Sequence, residues 1–273
     1  MLADVIEHLA CPVCREDLTL AGGVARCAAG HGFDVARQGY VSLRTGSAPA
    51  GTADTPAMVE ARARFLGAGH FAPVADRLRE IAAPAGVVLD AGAGTGYHLA
   101  AALGPAAVGI ALDISKHALK RAARAHPRIG AVVADVWRPL PVKDGRAEVL
   151  LNVFAPRNGP EFARVLAPGG VLAVVTPTPG HLAPLVARLG LLSVGEAKER
   201  RLGEALAGHF AEAGHMIEEY ELTLGHEDVE AAVGMGPNAW HTDPMALAKE
   251  ISRLPDPVAV NMSCRISMFR KIT

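Results

Sequence analysis

The sequence has no apolar stretch that approaches the length of a membrane span, and it has little net charge of either sign. The run "GVLAVV" at 170–175 is long enough only for a buried strand. A formal net charge of −1 argues against a protein that coats nucleic acid indiscriminately, so any contact with nucleic acid must come from a local patch. The N-terminal stretch "MLADVIEHLA" carries Asp4 and Glu7 and no basic leader, so we expect no secretory signal.

Cysteine is also rare, with 4 in 273 residues, yet three of them and a histidine lie between residues 11 and 31. Cys11 and Cys14 form a C-x2-C pair, and Cys27 with His31 forms a C-x3-H pair. Two closely spaced pairs suit tetrahedral zinc, which takes four sulfur or nitrogen ligands. A redox pair or buried structural thiols are the alternatives, but a redox pair leaves Cys27 and His31 unexplained. The spacing predicts a closed, structural zinc site.

The zinc pattern sets the expected domain organisation. A segment of about 40 residues cannot bury enough apolar surface to fold alone, whereas bound zinc can stabilise it. We expect a zinc module at 1–45, a linker with helices at 46–84 and a larger domain at 85–273. Cysteines with zinc spacing and no export signal suit the reducing cytosol, so we expect a cytoplasmic protein.

Beyond residue 86 the pattern alternates between strand and helix. The run "GVVLDAGAGTG" is the first strand and its turn, and further strands are predicted at 107–113, 129–135, 147–155 and 170–177. This alternation predicts an α/β fold with a doubly wound, mostly parallel sheet. The tail predicts a helix over 198–213, a strand over 216–224, a helical region over 227–253 and a strand over 258–269. We expect the two late strands to add antiparallel to one sheet edge.

A glycine-rich turn, "DAGAGTG" at 90–96, follows the first strand. Glycines there let a ligand approach the backbone and the helix N-terminus. Asp113 ends the second strand, where a carboxylate can hold ribose hydroxyls, and Asp135 ends the third, where it can accept from an adenine amino group. Such a crevice suits the sulfonium nucleoside S-adenosylmethionine better than a dinucleotide; a helix-packing turn with solvated aspartates is the other alternative. The predicted cofactor residues are Asp90, Gly92, Gly94, Gly96, His98, Asp113, Asp135 and Asn152.

The fourth strand ends in "LNVFAPRN" at 151–158, on the side expected to face the transferred methyl group. Methyltransferases of exocyclic amino groups usually show an Asp/Asn-Pro-Pro-aromatic turn here. In this chain Asn152 is followed by Val153 and Phe154, which leaves a ring nitrogen or a carbon as the target. Phe154 is expected to stack on a base or to lie in the core, and Pro156 and Arg157 are further substrate-binding candidates.

A basic stripe is predicted on the second helix of this domain. Its members, spaced four residues apart, are Lys116, Lys120, Arg124 and Arg128. A stripe of this kind is either a solvated helix face or a surface that follows phosphates. Composition alone leaves RNA binding undecided.

Five motifs together resemble a known family. They are the zinc pattern, "FDVARQGYVSL", "DAGAGTG", "LNVFAPRN" and "MGPNAWH" at 235–241, in this order along nearly the whole chain. They resemble the bacterial 23S rRNA guanine-N1 methyltransferases, most closely the type II branch of Gram-positive bacteria, which includes tylosin-resistance enzymes of actinomycetes. The resemblance implies a class I S-adenosylmethionine-dependent methyltransferase that modifies N1 of a guanine in hairpin 35 of 23S rRNA, at the peptide exit tunnel, with macrolide resistance as an expected role.

The resemblance also implies residue roles. Cys11, Cys14, Cys27 and His31 match the zinc ligands of a module that recognises the RNA. Asp90, Gly92, Gly94, Gly96 and Asp113 match the cofactor motif. Trp240 and His241 are expected either to contact the base or to serve packing. No residue identifies itself as the catalytic base, for which His98 and His241 are candidates. Family members form dimers, so a homodimer is expected.

Two other functions remain open at this point. One is a small-molecule methyltransferase of secondary metabolism, for which a second recognition module would have little use. The other is a non-catalytic zinc RNA-binding protein, against which the complete cofactor motif speaks.

Overall fold

The computed structural model describes residues 1–46, 53–191, 203–240 and 243–272. Its strands in chain order are β1 Leu18–Ala21, β2 Val24–Cys27, β3 Gly32–Asp34, β4 Tyr40–Ser42, β5 Val87–Ala91, β6 Val108–Asp113, β7 Ile129–Val133, β8 Ala147–Val153, β9 Leu166–Pro177, β10 Phe210–Leu224 and β11 Val258–Lys271. Its helices are α1 Leu2–Val5, α2 Pro56–Gly67, α3 Ala72–Ala82, α4 Tyr97–Ala102, α5 Lys116–Ala125, α6 Gly159–Val165, α7 Ala183–Leu189, α8 His226–Gly234 and α9 Pro244–Ile251, with 3-10 turns at Ile6–His8 and Pro237–Trp240.

An eight-stranded sheet is the centre of the fold. Its strand order is β10-β11-β9-β8-β5-β6-β7-β4, and the pairs from β4 to β9 are parallel. The chain leaves β5 to one side through β6 and β7 and returns to the other side through β8 and β9. The order therefore reverses between β5 and β8, and ligands of such sheets bind at the carboxyl ends of the strands at this switch point.

The central strands are buried on both faces, which explains their continuous apolar sequence. Every residue of β5 and of β7 is buried. Because successive side chains point to opposite faces, Val88 lies in one hydrophobic core and Leu89 in the other. The first core lies under α2, α3, α4 and α8, and the second contains α1 and α6.

The zinc-binding segment is built onto the second face of this sheet. Strands β1, β2 and β3 form a small antiparallel sheet of their own. Cys11 and Cys27 belong to the same core cluster as Leu112 and Val132 of the large sheet. The segment therefore shares its apolar core with the strands that carry the glycine-rich turn.

Two close contacts fix this docking. Gly130 of β7 lies directly under Val5, because a methyl group added at Gly130 would approach Val5 Cγ2 to 2.0 Å. Arg15, between Cys14 and Glu16, donates to the backbone carbonyls of Leu140 and Val142 at 2.8 and 3.1 Å. Arg15 of the zinc segment thus anchors the chain that leads into β8 through hydrogen bonds to its backbone.

Most of the predicted architecture is confirmed. The doubly wound sheet is present, and β11 pairs antiparallel with β9 while β10 pairs antiparallel with β11. Residues 40–42, in the predicted zinc module, form β4 and pair with β7 at the end of the large sheet. Within the described residues, no helix is both long and apolar enough to cross a bilayer.

The predicted helix over 198–213 is wrong at its end. Residues 203–206 are helical, but β10 begins at Phe210, which pairs with Lys271 of β11. Pairing with the long last strand decides this boundary, and sequence periodicity does not register such a distant partner. Residues 198–202 of the predicted helix lie outside the described part of the chain.

Candidate functional site

Four side chains of the N-terminal segment converge on one point. Cys11 Sγ lies 3.7 Å from His31 Nδ1, Cys14 Sγ lies 3.6 Å from Cys27 Sγ, and Cys27 Sγ lies 3.3 Å from His31 Nδ1. All four candidate ligand atoms lie within 4.8 Å of one another. Tetrahedral zinc with bonds of about 2.0–2.3 Å separates its ligands by roughly 3.5–3.8 Å, so these residues fit that metal.

Two tight turns present these ligands. In the first, Arg15 N–H donates to the Cys11 carbonyl at 2.9 Å, and Arg15 adopts a positive φ of 68°. In the second, Gly30 N–H donates to the Cys27 carbonyl at 3.0 Å, with Gly30 at a φ of 89°. With four protein ligands the site has no open position, so a zinc ion here stabilises the fold and takes no part in chemistry.

The glycine-rich turn lies at the switch point, where β5 and β8 end side by side. Gly92 has a φ of 90°, and a methyl group added to it would lie 2.3 Å from Ala155 Cβ. Gly96, also at positive φ, would bring a Cβ to 3.0 Å from Ala122 of α5. Side chains are therefore excluded from both positions, and the bare backbone between them is open to a ligand.

Asp113 connects this turn to α5. Its two carboxylate oxygens accept from Gly94 N–H at 2.9 Å and from Ser115 N–H at 2.7 Å. The pKa of Asp113 lies above its ordinary value, because burial raises it more than these backbone hydrogen bonds lower it. Because a carboxylate oxygen has a second lone pair, Asp113 can hold the turn and still accept from a ribose hydroxyl.

Asp90 and His98 are buried polar groups on either side of the turn. Asp90 is 1% exposed, its Oδ1 has no hydrogen-bond partner among the described residues, and burial followed by the charge of Asp113 raises its pKa to about 8. Burial, followed by the charge of Arg62, lowers the pKa of His98 to about 4, so its imidazole is neutral near neutral pH. Its Nδ1 also lacks a partner within the described chain. Unsatisfied buried groups of this kind mark a site that a polar ligand completes.

Asn152 fixes the turn after β8 from within. It is fully buried, and its amide donates to the carbonyls of Ala91 at 2.9 Å and Pro156 at 2.8 Å. These bonds join the ends of β5 and β8. Asn152 was predicted to line the cofactor crevice, but its amide nitrogen instead holds the turn through these two hydrogen bonds. Its Oδ1 has no hydrogen-bond partner among the described residues.

Phe154 projects from this turn. It adopts a φ of 52° and is 40% exposed, so it is not a core residue. Its ring packs edge-on against Phe71, with ring centroids 5.7 Å apart, and lies tilted against His181, with centroids 6.0 Å apart. Phe71 also contacts His98 at 5.8 Å. Phe154 stays 40% exposed despite these contacts and precedes Ala155, which approaches Gly92, so a flat base could lie against the ring near the glycine turn.

Sequence reasoning missed Arg62, since nothing in its local pattern distinguishes it from other arginines of α2. Arg62 pairs with Asp54 and donates to the carbonyl of Met235 at 2.7 Å. A methyl group added to Gly94 would lie 3.4 Å from its Nη1. The fold therefore places a cation on the glycine turn and ties it to the 235–240 segment.

Three further residues were predicted for cofactor or substrate binding: Asp135, Trp240 and His241. Asp135 follows β7 and accepts from Trp137 N–H at 3.0 Å. Trp240 is 47% exposed in the turn after α8. His241 lies outside the described residues.

The stripe predicted on the second helix is shorter than expected. Helix α5 ends at Ala125, and Arg128 instead donates to the carbonyls of Ala107 and Gly104 at 2.7 and 2.8 Å. Arg128 thus binds the carbonyls of the loop before β6. It does not extend the basic face, because α5 ends at Ala125, before the chain reaches Arg128.

Comparison with known proteins identifies the family. The zinc-ribbon model described as "RlmA, N-terminal" matches residues 9–44, and the model described as "Methyltransferase domain" matches residues 88–170. The 23S rRNA (guanine(748)-N(1))-methyltransferase of Streptomyces fradiae is 48% identical over 280 residues that cover all of both chains. A Micromonospora griseorubida protein assigned to the 23S rRNA (guanine-N(1)-)-methyltransferases is 50% identical, also with both chains fully covered. A Bacillus subtilis protein of the same assignment, YxjB, is 31% identical and covers 92% of this chain and 94% of its own.

This chain belongs to the 23S rRNA (guanine-N1) methyltransferase family. It is an S-adenosylmethionine-dependent enzyme with an N-terminal zinc ribbon, as the motifs predicted. The glycine turn, Asp113 and the orphaned Asp90 and His98 fit that cofactor, which supplies an electrophilic methyl group. The residues that would hold it are the bare backbone of the glycine turn, the carboxylates of Asp90 and Asp113, and the guanidinium of Arg62.

The zinc site generates the first prediction. We expect the purified protein to contain about one zinc ion per chain, and Cys14→Ser to lose it, because three ligands cannot close the tetrahedron. Metal content by atomic emission and the melting temperature are the measurements. The matched control is Cys264→Ser, which alters a buried cysteine of β11 outside the cluster and should keep the zinc. Full zinc content in Cys14→Ser would contradict the assigned ligand set.

The second prediction concerns Arg62. We expect Arg62→Met to weaken binding of S-adenosylhomocysteine about tenfold, since a charge-assisted hydrogen bond to its carboxylate would be lost. Binding of methylthioadenosine, which lacks that carboxylate, should not change. Calorimetric titration of both ligands measures the difference.

Arg64→Met is the matched control, because Arg64 joins the same helix to the carbonyl of Glu227 without reaching the turn. It should leave both affinities unchanged. Equal weakening of both ligands by Arg62→Met would show that Arg62 serves only to hold α2 against the 235–240 segment.

The third prediction follows from Asp90. Its pKa of about 8 in the fold exceeds the ordinary 3.8, so between these values the folded protein binds a proton that the unfolded chain does not. Stability of the ligand-free protein should therefore fall as the pH rises through this window. We expect Asp90→Asn to raise the melting temperature by several degrees near pH 9 and by much less near pH 5.

Asp76→Asn serves as the comparison, because Asp76 is exposed and pairs with Arg79 on the surface of α3. It should alter the melting temperature little at either pH. A stabilisation by Asp90→Asn that does not grow with pH would contradict an ionisable, unpartnered Asp90.

Proposed function

We propose that this protein transfers the methyl group of S-adenosylmethionine to N1 of guanine 748 of 23S rRNA, in hairpin 35 at the peptide exit tunnel. The observation that carries the proposal is the relation to the Streptomyces fradiae guanine-748 enzyme, 48% identical with both chains covered completely. A match over this whole length includes the zinc ribbon, the glycine turn and the turn after β8. The two proteins therefore share both the segment proposed to bind the cofactor and the segments proposed to bind the RNA.

The site has the features that such a reaction requires. N1 lies on the Watson–Crick edge of guanine, so the base must leave its pair or be unpaired before it can react, which costs a few kcal/mol. The open face of Phe154 offers a stacking surface for that base next to the glycine turn. Alignment of base and methyl group is the main task of the protein, and positioning of this kind contributes up to about 7–11 kcal/mol.

The departure from the exocyclic-amine pattern supports a ring nitrogen as the target. In the structure, Asn152 is turned inward to the carbonyls of Ala91 and Pro156, and the residue that projects from the turn is Phe154. The buried amide holds the turn in shape, while the exposed ring meets the substrate. A turn of this kind positions a flat base without gripping an exocyclic amino group.

The substrate also implies where the protein acts and what the cell gains from it. The protein would act in the cytoplasm on ribosomal RNA, and methylation at the exit tunnel would give resistance to tylosin-type macrolides. The homodimer expected from the family resemblance stays a prediction, and light scattering of the purified protein measures it.

Primer extension tests the reaction. We expect 23S rRNA treated with the protein and S-adenosylmethionine to show a new reverse-transcriptase stop one nucleotide before guanine 748, because an N1 methyl group blocks base pairing. Omission of the cofactor is the control and should remove the stop.

Two results would contradict the proposal. A stop at a neighbouring guanine would refute the choice of guanine 748 while leaving the reaction. The absence of any stop, with S-adenosylhomocysteine binding intact, would point to a small-molecule substrate.

A further inference from the structure

Trp137 is unusually exposed for a tryptophan. The chain contains 2 Trp residues in a composition with only 4% aromatic residues, and Trp137 is 66% exposed. Its neighbour Val136 is 7% exposed, so burial of this loop does not extend to the indole. Covering a ring of this size would remove a large apolar area from water, so Trp137 is a surface from which a partner could gain binding energy.

The loop that carries Trp137 is held in place along its length. Trp137 N–H donates to Asp135 Oδ1 at 3.0 Å, and Asn158 donates through its side chain to the Val136 carbonyl at 2.8 Å. Leu140 N–H donates to Glu161 at 2.6 Å. The backbone on both sides is thus fixed, and the indole is presented in a preorganised position, which reduces the entropy cost of binding a partner.

This loop lies between the RNA-recognition ribbon and the methyl-transfer site. The carbonyl of Leu140, three residues after Trp137, accepts from Arg15 of the zinc ribbon. Asn158, which holds Val136, follows Phe154 by four residues in the turn after β8. A nucleic-acid strand that reached from the ribbon to Phe154 would therefore pass the Trp137 loop.

Two arginines beside the loop have no anionic partner among the residues that the structure describes. Arg138 is exposed, and none of the described residues forms an ion pair or hydrogen bond with its side chain. Arg157, next to Asn158, is half-buried, and its Nε is buried without a partner within the described chain. Burial alone lowers the pKa of the Arg157 guanidinium, with no carboxylate opposing it. A half-buried guanidinium with a buried, unpartnered Nε is unfavourable on its own, so an external anion is the expected partner.

We propose that Trp137 stacks on an unpaired nucleobase adjacent to the target guanine while Arg138 and Arg157 bind the phosphates of that RNA segment. This inference rests on the proposed methylation of 23S rRNA, and it adds a second base contact outside the methyl-transfer site. Aromatic rings stack on bases of single-stranded RNA with little sequence preference, and arginines hold the backbone. The contact would hold the strand in register while the guanine is turned toward Phe154.

Fluorescence gives a direct test. In Trp240→Phe protein, Trp137 is the sole tryptophan, and we expect an RNA hairpin containing guanine 748 to quench its emission. Trp137→Leu should lower affinity for that hairpin about tenfold, whereas Trp137→Phe should retain most of it, because leucine has no aromatic face. Affinity for S-adenosylhomocysteine should be the same in all three.

The arginine part has its own test. We expect Arg157→Met to weaken RNA binding, to reduce the slope of log affinity against log salt by about one, and to keep or raise the melting temperature. Arg164→Met is the matched control, since Arg164 donates to the carbonyls of Leu140 and Val142 and pairs with Glu161. It should lower the melting temperature and leave the salt slope unchanged.

Three outcomes would overturn the inference. Quenching by S-adenosylhomocysteine with loss of its affinity in Trp137→Leu would show that the indole covers the cofactor. Unchanged RNA affinity in Trp137→Leu, with the parent protein still methylating the hairpin, would refute the stacking contact alone. A parent protein that neither binds nor methylates the RNA would refute the proposed function together with the inference.

Discussion

The close approach of two turns at the sheet's switch point is the constraint on which the site depends. Gly92 and Ala155 lie so near that a methyl group on Gly92 would sit 2.3 Å from Ala155 Cβ. Asn152 holds the same two turns from below by donating to Ala91 and Pro156. The glycine turn and the turn that carries Phe154 are therefore packed together and joined by hydrogen bonds, so the position of one depends on the other.

The zinc ribbon is joined to this unit by a common core. Cys11 and Cys27 share an apolar cluster with Leu112 and Val132, so zinc binding and packing of β6 and β7 stabilise each other. Arg15 adds hydrogen bonds to the chain that leads into β8. A zinc ribbon attached in this way is held at a fixed position relative to the glycine turn. Such rigidity matters for an enzyme that must place one nucleotide among many similar ones.

Several buried polar atoms around the candidate site have no partner among the described residues. Asp90, His98 and Arg157 each have a buried polar atom without a partner among the described residues. Each reduces the stability of the ligand-free protein, because burial without a partner is unfavourable. They lie beside the glycine turn or the turn after β8, where cofactor or RNA would satisfy them. Stability and binding are thus opposed at these positions, and substitutions there should separate the two.

Local patterns in the sequence determined the zinc ligands, the glycine turn, the parallel core and the two added antiparallel strands, because each depends on short spacings or periodicity. Tertiary structure decided the rest. Strand β10 begins at Phe210, where a helix was predicted, because it pairs with β11, and Arg62 reaches Gly94 only because α2 packs on α8. Arg128 leaves the basic stripe because its partners are carbonyls of a distant loop. These features depend on contacts between residues far apart in the chain, which no local pattern records.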